Sequence, residues 1–558
     1  MSKRSLTALI SLITVLLLVM AACGGSNDTS KANDSKANND NNDANHNSQL
    51  SDGEVYEFGS EELELTMFGN YDWYSMPAWG DDLASEWMKE NKNVNITAID
   101  SGGEAAQKLS SMIVANDFPD FIWTDKGADV ERLREAGKLI ALDDYMDKYP
   151  NLKEWLSEDA INMLRSEDGK LYQFPNWYNS EPFGNAGYVV NKKIWAELGE
   201  PEINTPDDLY HFLVEVKENY PDIVPYETHV EAQGVDLLYS AFAEGHSPAD
   251  KRIKAVPEDD KLTPLFNNEN YIESLQFANK LFREGLMTQD AYTQDLEQVE
   301  EKILNGKVAV YAGASPTEFA TDGHYRLLEE DPDAGYIMIP PIAKEGLNRD
   351  NIHPGSYEML GWNVAVIPVN DEDPGKPEKV FAFLDWLTGP EGQSVQNFGV
   401  EGTYWDGFDD EGWPIFTEEY INDPDGIAAI VNGSTNHQWV GNSNFLDTAK
   451  ANFTMELPVE DRLWATHWQW EVTWPTQKDQ TDYYAITPMP EEAEGEILQH
   501  IDDIADEAIA SAVQNAKDED EVREIMLQAQ ADAEAVGYDQ LLDYLTNKWQ
   551  ENLEKLGW

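Results

Sequence analysis

Apolar and polar positions follow three regimes along this chain. Thr7 to Met20 is an apolar run rich in Leu, Ile and Val, preceded by Lys3 and Arg4. It is shorter than the ~20 residues that cross a bilayer and has the length of a signal-peptide core. Gly24 to Gly53 is almost wholly Asn, Asp, Ser, Gly, Ala and Lys. Such a segment buries too little apolar surface to order itself, and it reads as a flexible tether with a reach of roughly 30 Å. From Val55 the pattern turns to that of a folded body.

Within the body, Leu63 to Met67 alternates apolar and polar residues as a strand does, with Phe68 closing it. Trp79 to Asn91 carries a helical stripe through Leu83, Trp87 and Met88, and Val94 to Ile99 reads as a second strand. A helix over Ala105 to Ala115, a short strand over Phe118 to Trp123 and a helix over Val130 to Ala136 follow. Strand and helix in alternation predict parallel strands with crossover helices, an α/β layer. The pattern continues with a helix over Tyr271 to Gly285, strands at Lys307 to Tyr311, Tyr336 to Ile339 and Asn363 to Pro368, and a helix over Lys379 to Leu387. Past Trp405 the chain reads as loop-rich and aromatic, then as acidic helices from Glu491 to the end. One apolar face there runs through Ile497, Ile501, Ile504, Ala508 and Ala512, another through Leu541, Leu545, Trp549 and Leu553. No second run is long enough to span a bilayer, and no solenoid repeat is present.

Cys23 is the only cysteine among 558 residues, so no disulfide forms within the chain. It follows Ala21 and Ala22 at the junction of apolar run and tether. LVMAAC resembles the lipobox of bacterial lipoproteins, with Met20 where that family usually has Leu. The resemblance implies that residues 1–22 are a removed signal peptide and that Cys23 is acylated. Residues 23–54 then link a body, residues 55–558, to the extracellular face of the cell membrane. Stable anchoring takes more than one acyl chain. The other reading is an ordinary cleaved signal with an incidental cysteine. Lys and Arg number 38 and Asp and Glu 106, a formal charge of −68. That surface repels nucleic acid and reads as adaptation of an exposed protein to salty or alkaline surroundings, favoured over capture of cationic ligands because the acids are spread along the whole chain.

Several stretches resemble, in order, the family 1 extracellular solute-binding proteins, the sugar-type lipoproteins of bacterial ABC importers, and above all their larger members. They are DFPDFIWTD (Asp117 to Asp125), EAGKLIALDDYMDKYPN (Glu135 to Asn151), DGKLYQFPNW (Asp168 to Trp177), GYVVNKKIWAELG (Gly187 to Gly199) and TPDDLYHFL (Thr205 to Leu213). LNGKVAVYAG (Leu304 to Gly313) and the segment Lys376 to Trp405 complete the set. Val190 and Pro206 stand where the family usually has Tyr and Trp. The resemblance implies an α/β, two-lobed, periplasmic-binding-protein-like fold of the type II class, with a hinge and additional C-terminal helices. Residues 176–187 and 354–362 are the expected lobe crossings.

A sugar offers an apolar C–H face and a rim of hydroxyls, met by aromatic platforms and a few placed polar groups. Ligands of open α/β sheets sit at strand carboxyl ends. The candidates that mix both types at such positions are Asn70, Tyr71, Asp72 and Trp73, then Trp123 and Asp125, then Trp177 and Asn179; Trp362, in the second expected crossing, and Trp405, between Tyr404 and Asp406, are added on residue type alone. For any single Trp, core packing is the competing role. The cluster Trp464, Trp468 and Trp470 reads mainly as packing. No G-x-S-x-G, H-E-x-x-H or P-loop occurs, and the nine His show no ligand spacing. Asn422 to Gly426 lacks the spacing of a calcium loop. The sequence therefore reads as a lipid-anchored monomer that needs no cofactor, shows no metal-ligand motif and performs no chemistry, a structural calcium built from scattered acids staying open. It captures a carbohydrate, expected to be an oligosaccharide; the net charge favours a neutral one, which local Lys or Arg in the cleft would reverse. Lobe closure then delivers the ligand to ABC permease subunits. The alternative is an extracellular glycoside hydrolase or glycan-surface adhesin.

Overall fold

In the computed structural model, residues 55–490 and 492–558 are described; the signal segment, Cys23 and the tether lie outside them. Strand β1 (Leu63–Gly69) pairs in parallel with β2 (Val94–Ile99) and with β3 (Phe121–Thr124). The helices Leu83–Asn91 and Ala105–Ala115 make the crossovers that parallel pairing demands. Strand β4 (Gln173–Asn176) does not join β3 directly, because a much later strand lies between them.

The chain leaves β4 through residues 177–185 and builds a second sheet from β5 (Ala186–Asn191) and β6 (Val224–Glu227). A separate hairpin of β7 (Ala255–Glu258) and β8 (Lys261–Pro264) follows, then β9 (Val308–Ala314) and β10 (Tyr336–Ile339), and the second sheet is ordered β10-β5-β9-β6. The return runs through β11 (Gly355–Tyr357) into β12 (Asn363–Val366), which enters the first sheet antiparallel to both β3 and β4. The first sheet is thus β2-β1-β3-β12-β4, a mixed sheet where alternation alone predicted a parallel one. The antiparallel strand comes from the other lobe, so its direction is set by the crossing and by no local crossover helix.

Each sheet is covered on both faces, as the two-residue period of a strand dictates. In the first, Met67, Phe121, Trp123 and Ala365 point into one core, and Phe68, Ile122, Val364 and Val366 into another under helices Ala105–Ala115 and Ala128–Glu135. In the second, Tyr188, Val190, Val310 and Ala312 face one core while Val189, Tyr311 and Met338 face the opposite one. Pro206 falls in the first turn of helix Pro206–Asn219, where its missing N–H costs nothing, and Thr205 and Asp208 form a capping box around it.

Beyond Trp405 the chain is more helical than its pattern suggests. A hairpin of β13 (Trp405–Phe408) and β14 (Pro414–Phe416) leads into helices Pro424–Ser434 and Ser443–Glu456 on the first lobe. Asp423 caps the first of these by accepting from Gly426 N at 2.9 Å, which accounts for the Asn-Asp-Pro-Asp-Gly stretch as a helix start. Residues 464–473 return to the second lobe, and β15 (Gln477–Asp479) pairs with β11 between the lobes. The terminal helices Ala493–Gln514, Glu519–Val536 and Tyr538–Leu556 belong to the second-lobe core through Ile501, Met526, Leu541 and Leu545. The last helix ends with Leu556 in the first-lobe core, so it straps the two lobes together.

One buried histidine, His229, and one half-buried, His324, set an acid limit on the second lobe. Burial pushes His229 and His324 down to about 4. Both stay neutral when folded, below an unfolded value near 6.5. Their stabilising contribution is complete above pH 6.5 and is lost as pH falls from there towards 4. For the 4 % exposed His229 it amounts to on the order of 3 kcal/mol. His229 sits at φ +62°, which Asn tolerates. The melting-temperature difference between His229→Asn and the parent is therefore expected to shrink between pH 7 and pH 5.

Candidate functional site

The first sheet presents the ends of β1, β3 and β4 and the start of β12 at one edge, the edge from which residues 177–185 depart. Residues just after β1, within β3 and just before β12 bring the aromatic rings together there. Tyr71 lies 5.2 Å from Trp73, 4.9 Å from Trp123 and 6.1 Å from Trp362, centroid to centroid. Trp73 and Trp362 stack with planes 17° apart at 6.4 Å. Trp123 stands edge-on to Trp73 and to Trp362, at 84° and 90°. Exposure separates their roles. Trp123 is buried at 4 %, whereas Trp73 and Trp362 are 60 % and 53 % exposed. Two large indoles held parallel and open to solvent form an apolar platform that the lobe's own core does not need.

The platform rests on a buried amide that sequence reasoning missed. Asn363, the first residue of β12, is fully buried. Its Oδ1 accepts from Trp123 Nε1 at 3.0 Å and Asn176 Nδ2 at 2.8 Å, and its Nδ2 donates to the Tyr71 hydroxyl at 3.0 Å. The Tyr71 hydroxyl in turn donates to Asp125 Oδ1 at 2.7 Å. Burial, then the Asp125 carboxylate, push the Tyr71 phenol far above its ordinary range, so it remains a donor. The only sequence signal for Asn363 is an amide opening an otherwise apolar strand.

The remaining candidates fall into distinct places. Asn70 donates to Thr124 Oγ1 at 3.0 Å and Asp129 Oδ2 at 2.8 Å, and its buried Oδ1 has no partner. Asp72 is exposed and accepts from Ala105 N at 2.8 Å, at the start of helix Ala105–Ala115. Trp177 opens the crossing in a left-handed conformation (φ +59°) and donates its backbone N–H to Gly441 O at 2.7 Å. Asn179 follows on the same crossing, its buried Oδ1 unpartnered. Trp405 does not join the group. It is 2 % exposed, donates to Gly399 O at 2.6 Å and packs in the first-lobe core, so it presents no face to a ligand. The cause is the β13–β14 hairpin, which folds its ring inward. Gly361, just before Trp362, has φ +70°, and a Cβ there would lie 2.2 Å from Asn176 O. Only glycine lets the chain turn Trp362 outward at this point.

The second lobe contributes an edge of its own. β6 and β9 run parallel and end at Glu227 and Ala314, beside the start of β5. After β6, His229, Glu231 and Ala232 all have positive φ, a run of backbone strain of the kind that clusters at ligand clamps. Buried Glu227 steadies it by accepting from Lys302 Nζ and Gln294 Nε2, each at 2.6 Å. Residues 469–473 form a single π-helical turn, and Gln469 Nε2 donates to Thr317 Oγ1 at 3.2 Å just past β9. That turn leaves Trp470 47 % exposed, beside Trp474, which packs on Phe183 of the crossing. In contrast to Trp464, which is buried and donates to Tyr336 O, Trp470 is therefore available to a ligand.

The family model described as bacterial extracellular solute-binding protein matches residues 74–394. The chain belongs to this family. Among curated relatives, the fructooligosaccharide ABC transporter substrate-binding protein FusA of Streptococcus pneumoniae serotype 4 is 27 % identical over 321 residues, 54 % of this chain and 56 % of FusA. The polygalacturonan/rhamnogalacturonan-binding protein YtcQ of Bacillus subtilis strain 168 is 23 % identical over 312 residues, 54 % of this chain and 59 % of YtcQ. The chain thus spans little more than half the length of the curated relatives it matches. Among solved structures, S. pneumoniae FusA in complex with kestose superposes with a TM-score of 0.64 at 19 % identity, covering 88 % of this chain and 99 % of that one. The alginate-binding protein AlgQ2 without calcium ion gives 0.61 at 15 % identity, covering 89 % and 100 %. The two-lobed α/β solute-binding fold is thereby shown. These relatives are named as binding proteins, and no helix among the described residues is long and apolar enough to cross a membrane.

Proposed function

We propose that this solute-binding protein captures an oligosaccharide between its lobes and hands it to the permease of an ABC importer, acting as a monomer that carries no chemistry. The observation that carries the reading is the pair of exposed, parallel indoles, Trp73 and Trp362, at the strand ends of the first lobe. They offer flat faces to sugar C–H surfaces, and Asp125, Asp72 and the unpartnered Oδ1 of Asn70 supply acceptors for hydroxyls nearby. Trp177 and Asn179 border the site on the crossing, Trp123 positions the platform from beneath, and the exposed Trp470 is the second lobe's aromatic candidate for the ligand. Ligand contacts to both lobes favour the closed arrangement, since a ligand shifts an equilibrium only through its differential affinity for the two states. Acylation of Cys23 then keeps the protein at the extracellular face of the membrane, beside the permease.

A thermal-shift screen with fructo-, xylo-, chito- and galacto-oligosaccharides tests the reading. One class is expected to stabilise the protein by about 2.7 kcal/mol at a hundred times its Kd, and chromatography is expected to recover that sugar intact. No shift with any saccharide contradicts capture. Shortening of the sugar by the purified protein makes the chain a hydrolase.

A further inference from the structure

The segments that border the two sheet edges hold almost no positive charge. Residues 70–82, 100–104, 125–127, 177–185, 228–233, 353–362 and 469–476 include one Lys or Arg, Lys126, while Asp72, Asp125, Glu181, Glu358 and Glu471 are among their carboxylates. Lys126 is already engaged. Its Nζ lies 3.0 Å from Glu358 Oε2, donates to Gly361 O and sits 5.8 Å from the Tyr484 ring centroid, with its side chain 12 % exposed. Arg252, reaching in from the second lobe, pairs with the same Glu358 at 3.2 Å. Lys478, the next cation beyond residues 469–476, donates to Gly245 O at 2.7 Å. The two histidines of these segments, His229 and His353, are held towards their neutral form by burial.

From this geometry, and resting on the function proposed above, we infer that the site selects uncharged oligosaccharides and rejects uronate oligomers. A neutral sugar presents hydroxyls that donate to Asp125 and Asp72. A uronic acid presents a carboxylate, which only accepts. Among the described residues the platform offers it no uncommitted cation, so it meets like charge in a partly desolvated site. The field of the whole acidic protein slows anionic ligands further.

The test is calorimetric titration of the protein with matched trisaccharides: galactotriose against trigalacturonate, mannotriose against trimannuronate, and kestose and xylotriose as further neutral probes. Neutral sugars are expected to bind at least tenfold more tightly than any uronate at low ionic strength, with the gap narrowing as salt screens the charges. Asp125→Asn is expected to narrow it as well. A uronate that binds as tightly as its neutral counterpart, and loses that affinity in Trp362→Ala, overturns the inference while leaving capture of a saccharide intact. Binding of no saccharide at all, in the titrations and in the thermal screen, overturns the function itself.

Discussion

Replacing Trp73 and Trp362 by alanine is expected to abolish saccharide binding at micromolar ligand while leaving the fold intact. Each ring is more than half exposed, so truncation opens no core cavity. Aromatic anchors at binding sites typically cost about 2 kcal/mol or more on removal, about thirtyfold in Kd. The single variants should each weaken binding by that order. The double variant should lose more, and not necessarily the sum, because the rings stack on one another at 6.4 Å. Calorimetric titration reads the affinity, and far-ultraviolet circular dichroism with melting checks the fold. Unchanged affinity in the double variant would place the ligand elsewhere in the protein.

Asn363→Ala is expected to have the second largest effect, acting on stability and affinity together. The fully buried amide satisfies Trp123 Nε1 and Asn176 Nδ2 and holds the Tyr71 hydroxyl. Its loss leaves two buried donors without an acceptor, each costing about 1–3 kcal/mol. The Tyr71 ring, released from one of its two hydroxyl partners, no longer fixes Trp73 and Trp362. Denaturant unfolding should show first-lobe destabilisation of a few kcal/mol. Binding measured well below the melting temperature should fall at least tenfold. A variant that is destabilised yet binds normally would make Asn363 a structural residue without a positioning role.

Much of the fold was legible because local pattern and tertiary structure agree in it. Leu63, Leu65 and Met67 alternate inward as their sequence alternates, and the strand–helix order up to Glu135 survives with boundaries shifted by at most four residues. What pattern could not show was long-range. β12 enters the first sheet from beyond the second lobe, and its antiparallel direction has no local signal. The loop-rich reading after Trp405 failed because Ser443–Glu456 is buried on several sides, so it lacks the single apolar stripe that marks a surface helix. The site shows the same division. Tyr71, Trp73 and Trp123 come together because strand-end position and aromatic character coincide, and Trp362 joins them from just before β12. Trp405 shares its chemistry with them, but a hairpin turns it into the core. Asn363 was missed because a lone Asn in a strand gives no sign of what it will bond. Trp470 is indistinguishable from Trp464 in sequence, where packing is favoured and a cleft-lining role open, because only the π-helical turn separates its exposure from the burial of Trp464.

Capture by closure is read by small-angle X-ray scattering of the protein with and without the oligosaccharide that gives the largest thermal shift. A smaller radius of gyration is expected with ligand, reversed on its removal, with no change in the Trp73→Ala, Trp362→Ala double variant. An unchanged radius at saturating, intact ligand would contradict lobe closure and leave a rigid platform in its place.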